Sequence, residues 1–308
     1  MKILITGSNG LLGQKLVALL RQQAGVEVVA TSRGANKLAT LYPDLRFVAL
    51  DVTDAAQVQQ VLAQEQPTHL IHTAAMTNVD ECELNQVVCW QQNVTAVEYL
   101  VAVCTDQNIH LTHVSTDFVF SGEVGPLSEE AEPGPVNFYG KSKLAAEQLV
   151  QASAGRWAIA RTVLVYGVAH EYGRTNIVLW VRDSLRAGQA IKVVADQWRT
   201  PTLAEDLANG CWLLARAAAQ GIYHISSDEL LTPHAMALRV ADYFGLDQGL
   251  IEKVDASTFS QPARRPARTG FIISKAQREL GYRPHTFAEG IAIVAAQSNS
   301  MGKKNPPG

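Results

Sequence analysis

The chain has 308 residues, enough to bury a large core as one domain or two lobes. Apolar residues make up 47% and charged residues 18%, and the net charge is −3, which excludes a general electrostatic attraction to nucleic acid or to an anionic membrane. No apolar run approaches the roughly 20 residues of a bilayer span. The N-terminus lacks the basic start and small-residue cleavage site of a signal peptide, so a cytoplasmic protein is expected.

Short apolar runs alternate with helical patterns. Strands are expected at 2–6, 26–32, 45–51, 68–75, 109–117 and 157–167. Helices are expected between them, with Thr53 as the N-cap of the one near 54–64, a long one over 85–106 and another over 138–152. This rhythm predicts an α/β fold, a parallel sheet with helices on both faces. Beyond residue 167 the regular alternation stops, and helices mix with short strands such as 191–194 and 221–226. The reading is a regular α/β domain at 1–167, a smaller C-terminal lobe at 168–297 with some segments returning to the first domain, and a disordered tail at 298–308. Cys82, Cys89, Cys104 and Cys211 show no paired spacing and are expected as buried free thiols.

The first strand runs into Thr6-Gly7-Ser8-Asn9-Gly10-Leu11-Leu12-Gly13, a glycine-rich turn that opens a helix. Glycine admits positive φ and a close phosphate, and a helix N-terminus offers free N–H groups to an anion. Gly7, Asn9, Gly10, Leu11 and Leu12 are therefore candidate dinucleotide contacts. An acidic residue at the end of the second strand would favour NAD, but this strand ends Thr31-Ser32-Arg33. Arg33 suits a 2′-phosphate, so the expected cofactor is NADP (NADPH), with NAD as the alternative. Asp51 and Val52, ending the third strand, are candidates to flank the adenine.

Tyr139 and Lys143 stand four apart on an expected helix, hence on one face. A free phenol has a pKa of about 10, and a neighbouring ammonium is expected to lower it toward the working range of a proton carrier. Ser115 or Thr116, at the C-terminal end of the fifth strand, could polarise a carbonyl. Ligands collect at such strand ends in open α/β sheets.

With "TGSNGLLG", "HTAA" (72–75), Asn93, "STD" (115–117) and Tyr139-x-x-x-Lys143 in place, the chain resembles the extended short-chain dehydrogenases/reductases. Within them it is most similar to the dTDP-4-dehydrorhamnose reductase family. The blocks "AAMTNVDECE" (74–83), "STDFVFSG" (115–122), "YGKSKLAAE" (139–147), "RTVLVYG" (161–167) and "DQWRTPTLAEDLA" (196–208) follow that family's order. The resemblance implies a doubly wound, Rossmann-type dinucleotide-binding domain at 1–167 with a C-terminal substrate lobe at 168–297, and an NADPH-dependent reductase of a 4-keto nucleotide-sugar or similar keto sugar. Thr116, Tyr139 and Lys143 would be its catalytic set, with Tyr139 as proton donor. Ala74, Ala75 and Thr77 would line the cofactor path, Val163 would lie near the nicotinamide amide, and Asn93 would hold backbone near the site. A homodimer is plausible on the same resemblance.

Phe118 stands where the family usually has Tyr, and Leu164 where it tends to have Trp, which removes one polar contact and one stacking surface. Asp117-Phe118 also lacks the second carboxylate of the related dehydratases. Two alternatives remain open. One is a sugar-nucleotide epimerase. The other is a non-catalytic NADP-binding protein, because the chain also resembles the regulatory β subunit of methionine adenosyltransferase. Phe118, Trp198, Arg199 and Arg268 are candidate substrate contacts; tryptophan stacks on bases and sugars, and arginine pairs with diphosphates. His72 and His113 alternate within strands and are read as structural histidines, and no metal-ligand spacing is present.

Overall fold

The computed structural model of the chain describes residues 1–170 and 175–302. Seven parallel strands form the main sheet: β1 (Lys2–Thr6), β2 (Glu27–Ser32), β3 (Arg46–Ala49), β4 (His69–His72), β5 (His110–Thr116), β6 (Trp157–Thr162) and, from much further along, β10 (Gly221–His224). Their order is β3-β2-β1-β4-β5-β6-β10. Successive strands move outward one way from β1 and then the other way from β4, so the loops after β1 and β4 part and leave a crevice at the C-terminal edge. The expected doubly wound Rossmann-type sheet is present.

The connecting helices are α1 (Leu11–Leu20), α2 (Ala55–Glu65), α3 (Val79–Leu84), α4 (Gln86–Trp90), α5 (Ala96–Asp106) and α6 (Phe138–Ala152). The expected long helix over 85–106 is α4 and α5 joined by a π-helical turn, Gln91–Thr95. The N-cap of α2 is Asp54, not Thr53: its carboxylate accepts from Ala56 N and Gln57 N at 3.0 and 3.1 Å. The hydroxyl of Thr53 instead donates to Asp51 Oδ1 at 2.7 Å.

After β6 the chain forms β7 (Val165–Tyr166), α7 (Ile177–Arg186), β8 (Ile191–Val194) and β9 (Thr202–Leu203), and α8 (Ala204–Arg216) then packs on α1. Following β10 come α9 (Pro233–Phe244), β11 (Ile251–Val254), α10 (Ser274–Leu280) and α11 (Phe287–Gly302). A second apolar core gathers Val178, Val181 and Leu185 of α7 with Met236 and Val240 of α9, Ile191 and Ile251 of the small sheet, and Phe287. Each such buried side chain contributes about 1.5–3 kcal/mol. The sequence after 157 does not run as one strand. Val165–Tyr166 leaves the main sheet and pairs with β9, with Leu164 between them and β6 at φ +39. The tail expected from 298 is helical as far as Gly302, with Ser298 Oγ donating to Val294 O; 303–308 lie outside the described residues.

Candidate active site

The β1–α1 turn is built by exclusion of side chains. Gly7 has φ +70, and a Cβ there would lie 2.9 Å from Ala74 N. A Cβ on Gly13 would lie 2.3 Å from Gly7 O. Glycine at both positions lets the turn close on itself and on the end of β4. Helices α2, α3, α6, α7 and α9 have their first N–H groups capped by Asp54, Asn78, Asn137, Asn176 and Thr232. Gly10, the N-cap of α1, supplies no side chain, and the first turn holds no acidic residue. The positive end of α1 therefore stays open to an anion.

This helix end faces a cavity of about 240 Å³ at the crevice. Gly7, Gly10, Arg33, Asp51, Val52, Ala74 and Ala75, all expected cofactor residues, line it. Sequence reasoning missed Thr73 and Gln92 on the same wall; Gln92 is brought there by the π-helical turn, which no local pattern announces. Arg33 is exposed at the rim. Burial pushes the Asp51 carboxyl up, but hydrogen bonds from Thr53 and the charge of Arg33 outweigh it and hold it below the ordinary range.

Other expected cofactor residues are placed differently. The Asn9 side chain is occupied by backbone, donating to Ala35 O at 2.8 Å and accepting from Lys37 N at 3.0 Å. Leu11 points toward Gly167 and Leu12 packs on the main core, so both offer only backbone N–H groups. Thr77 is exposed, two residues beyond Ala75 and outside the cavity lining. Val163 is fully buried, and its carbonyl accepts from Thr202 Oγ1 at 2.7 Å.

Thr116, Tyr139 and Lys143 come together at the end of β5. Tyr139 and Lys143 lie on the buried face of α6, whose N-cap Asn137 accepts from Gly140 N at 2.8 Å. Gly140 is required there, since a Cβ would meet Phe118 O at 2.1 Å. Asn93 pins the loop after β4 to this helix. Its Oδ1 accepts from Met76 N at 2.8 Å, and its Nδ2 donates to Met76 O and to Ser142 Oγ, both at 3.0 Å. Ser142 Oγ in turn donates to Tyr139 O at 2.7 Å.

The electrostatics correct one expectation. Burial raises the Tyr139 pKa above its ordinary value, a shift that contact with Thr116 opposes and the Asp117 charge reinforces. The Lys143 ammonium donates to Val114 O at 2.8 Å and to His113 Nε2 at 3.2 Å. Burial pushes Lys143 down to about 8, against the charge of Glu147. The Thr116 hydroxyl donates to Asp117 Oδ1 at 3.0 Å.

On the opposite side, Phe118 is half-buried and meets Tyr139 edge-on at 5.7 Å. Arg199 is only 4% exposed and is not a free substrate contact. Its guanidinium donates to Pro266 O at 2.6 Å and to Ala267 O at 3.1 Å, and lies 3.7 Å from Asp117. Asp117 also accepts from Thr269 Oγ1. Trp198 and Arg268 are bridged backbone to backbone; Trp198 is half-buried and Arg268 exposed.

Residues 1–300 of the chain match the family model described as the RmlD substrate binding domain. The chain belongs to this family, within the extended short-chain dehydrogenases/reductases. It is similar to a probable low-salt glycan biosynthesis reductase of Haloferax volcanii, 34% identical over 297 residues, covering 95% of this chain and 96% of the relative. A solved dTDP-4-dehydrorhamnose reductase from Clostridium acetobutylicum superposes with TM-score 0.86 at 27% identity, over 97% of this chain and 100% of that one. Another, from Bacillus anthracis and in complex with NADP, gives 0.82 at 26% identity, over 96% and 99%.

Proposed function

We propose that this chain is an NADPH-dependent reductase of a 4-keto nucleotide-sugar. The observation that carries the reading is the open, glycine-cradled N-terminus of α1 facing the same crevice edge as Thr116, Tyr139 and Lys143. The Bacillus anthracis relative was solved with NADP, and both solved relatives bear the reductase name, which supports the cofactor and the reaction class.

The residues present fit a dinucleotide. The free N–H groups of α1 would hold the diphosphate, Arg33 a 2′-phosphate, and Ala74 and Ala75 the path between. Lys143 has three N–H donors and uses two on Val114 and His113, leaving one for a ribose hydroxyl. When bound, NADPH supplies the hydride. Tyr139 supplies the proton: a phenol is protonated at neutral pH, burial shifts it further the same way, and this is the state a reductase needs at the start of turnover. Thr116, fixed by Asp117, orients that phenol toward the substrate oxygen.

The test follows NADPH absorbance with a panel of nucleotide 4-keto sugars. Tyr139→Phe should keep NADPH binding and lose activity by about 10²–10⁴-fold. Unchanged turnover in that variant removes Tyr139 as the acid, and no NADPH oxidation by the wild-type chain with any sugar of the panel removes the reductase reading.

A further inference from the structure

His113 sits on β5 with its ring fully buried. An ammonium has only donors, so the 3.2 Å contact from Lys143 makes His113 Nε2 an acceptor. A neutral imidazole accepting at Nε2 carries its proton on Nδ1. That Nδ1 has no partner among the described residues, although it is buried. Its neighbour on β4, His72, stacks on it with ring centres 5.4 Å apart and planes at 23°, and is itself tied through Nδ1 to Thr6 Oγ1 at 2.7 Å. An apolar side chain would fill the strand position without a stranded donor. The fold thus keeps an unpaired N–H on one ring nitrogen and gains an acceptor for Lys143 on the other.

We infer that His113 is a positioning residue which, as a neutral acceptor stacked on His72, holds the Lys143 ammonium in place for the cofactor ribose. The inference rests on the cofactor role given to Lys143 above. The groups facing Lys143 are Val114 O and His113 from β5, Glu147 from its own helix, Cys89 from α4 and, through space, His72 from β4. Only His113 and the Val114 carbonyl accept directly from the ammonium among these. Burial and the Lys143 charge hold His113 well below the ordinary histidine range, and burial pushes His72 down to about 3, so neither ring competes for the positive charge.

The experiment reads NADPH binding by fluorescence titration across pH, with no sugar present. His113→Leu removes the acceptor and should weaken binding by about tenfold. It should also move the high-pH loss of binding down by about one pH unit, because the ammonium loses a group that favours its charged form. His113→Gln places an amide oxygen near the Nε2 position and should restore both to within about twofold. Wild-type affinity and pH profile in a folded His113→Leu, or a Gln variant that behaves like Leu, overturns the inference. Should His113→Leu fail to fold, nitrogen-15 NMR of the wild-type protein decides: a proton on Nδ1 near neutral pH is expected, and a proton on Nε2 overturns it. A chain that binds NADPH but reduces no sugar would defeat the proposed reaction and leave the role of His113 standing.

Discussion

The two sides of the crevice are built on opposite principles. The cofactor side, from Gly7 to Ala75, is made of missing side chains: glycines that admit backbone, alanines, and a helix end with no cap. The side formed by 117–118, 197–200 and 266–269 is made of side chains that satisfy one another. Arg199, Asp117 and Thr269 are buried and bonded together, and Arg199 reaches the carbonyls of Pro266 and Ala267. A side defined by absence has an open surface for a ligand to use. A side defined by mutual satisfaction presents only what its network leaves over, here Phe118, Trp198 and the exposed Arg268.

The difference also explains what was legible in the sequence. Glycine spacing, the strand before it and the helix after it are local, so the turn and the sheet could be read directly, as could Tyr139 and Lys143 on one helix face. The fate of a charged loop residue is set by distant partners. Arg199 is 82 positions from Asp117 and 67 from Pro266, and no local pattern separates a substrate arginine from one that ties two loops. The same holds for Asn9, whose side chain is taken by backbone of 35–37, and for the Lys143 ammonium, taken by β5.

The largest effect is expected on the self-satisfied side. Arg199→Ala leaves the buried Asp117 charge without its partner and removes the donor to Pro266 O, while Ala267 O keeps the backbone N–H of Trp198, a loss of about 3–5 kcal/mol in unfolding free energy. Were Arg199 a substrate contact instead, the same change would raise the sugar KM and leave the melting temperature alone. Chemical denaturation beside steady-state kinetics separates the two outcomes.

On the cofactor side, Gly13→Ala attacks the close approach itself. Its Cβ would press on Gly7 O and on Ser8 Cα, which are backbone and yield only by opening the turn. NADPH binding should weaken by about 100-fold, roughly 2.7 kcal/mol, with a smaller loss of stability. Binding close to wild type would show that the turn tolerates widening and that the diphosphate is held elsewhere. Arg33→Ala is a gentler test of the same side. Its charge is exposed at the cavity rim, and its removal should raise the KM for NADPH about tenfold while leaving NADH nearly unaffected. An equal change for both cofactors would take Arg33 away from the 2′-phosphate.

The smallest effect concerns a pair that is half open to solvent, and it shows by contrast what full burial does at Arg199. His285 Nδ1 contacts Asp206 Oδ1 at 2.7 Å, and His285 N donates to Asp206 Oδ2 at 2.9 Å, joining α8 to the segment before α11. The hydrogen bond to Asp206 raises the His285 pKa above its ordinary value, against a lesser lowering by burial. A histidine raised on folding adds stability that is complete below its unfolded value of about 6.5 and disappears as pH rises through the higher folded value. The wild-type melting temperature should therefore fall across that window on the alkaline side of 6.5. Because the imidazole is 45% exposed, solvent screening limits the contribution to under about 1 kcal/mol, a shift of about 2 °C in a chain of this size. His285→Gln keeps a polar side chain that does not titrate, so the slope of melting temperature against pH should flatten over the same range. A slope as steep as wild type would assign the pH dependence to another group, and would leave the Asp206 contact as a hydrogen bond without a titrating charge.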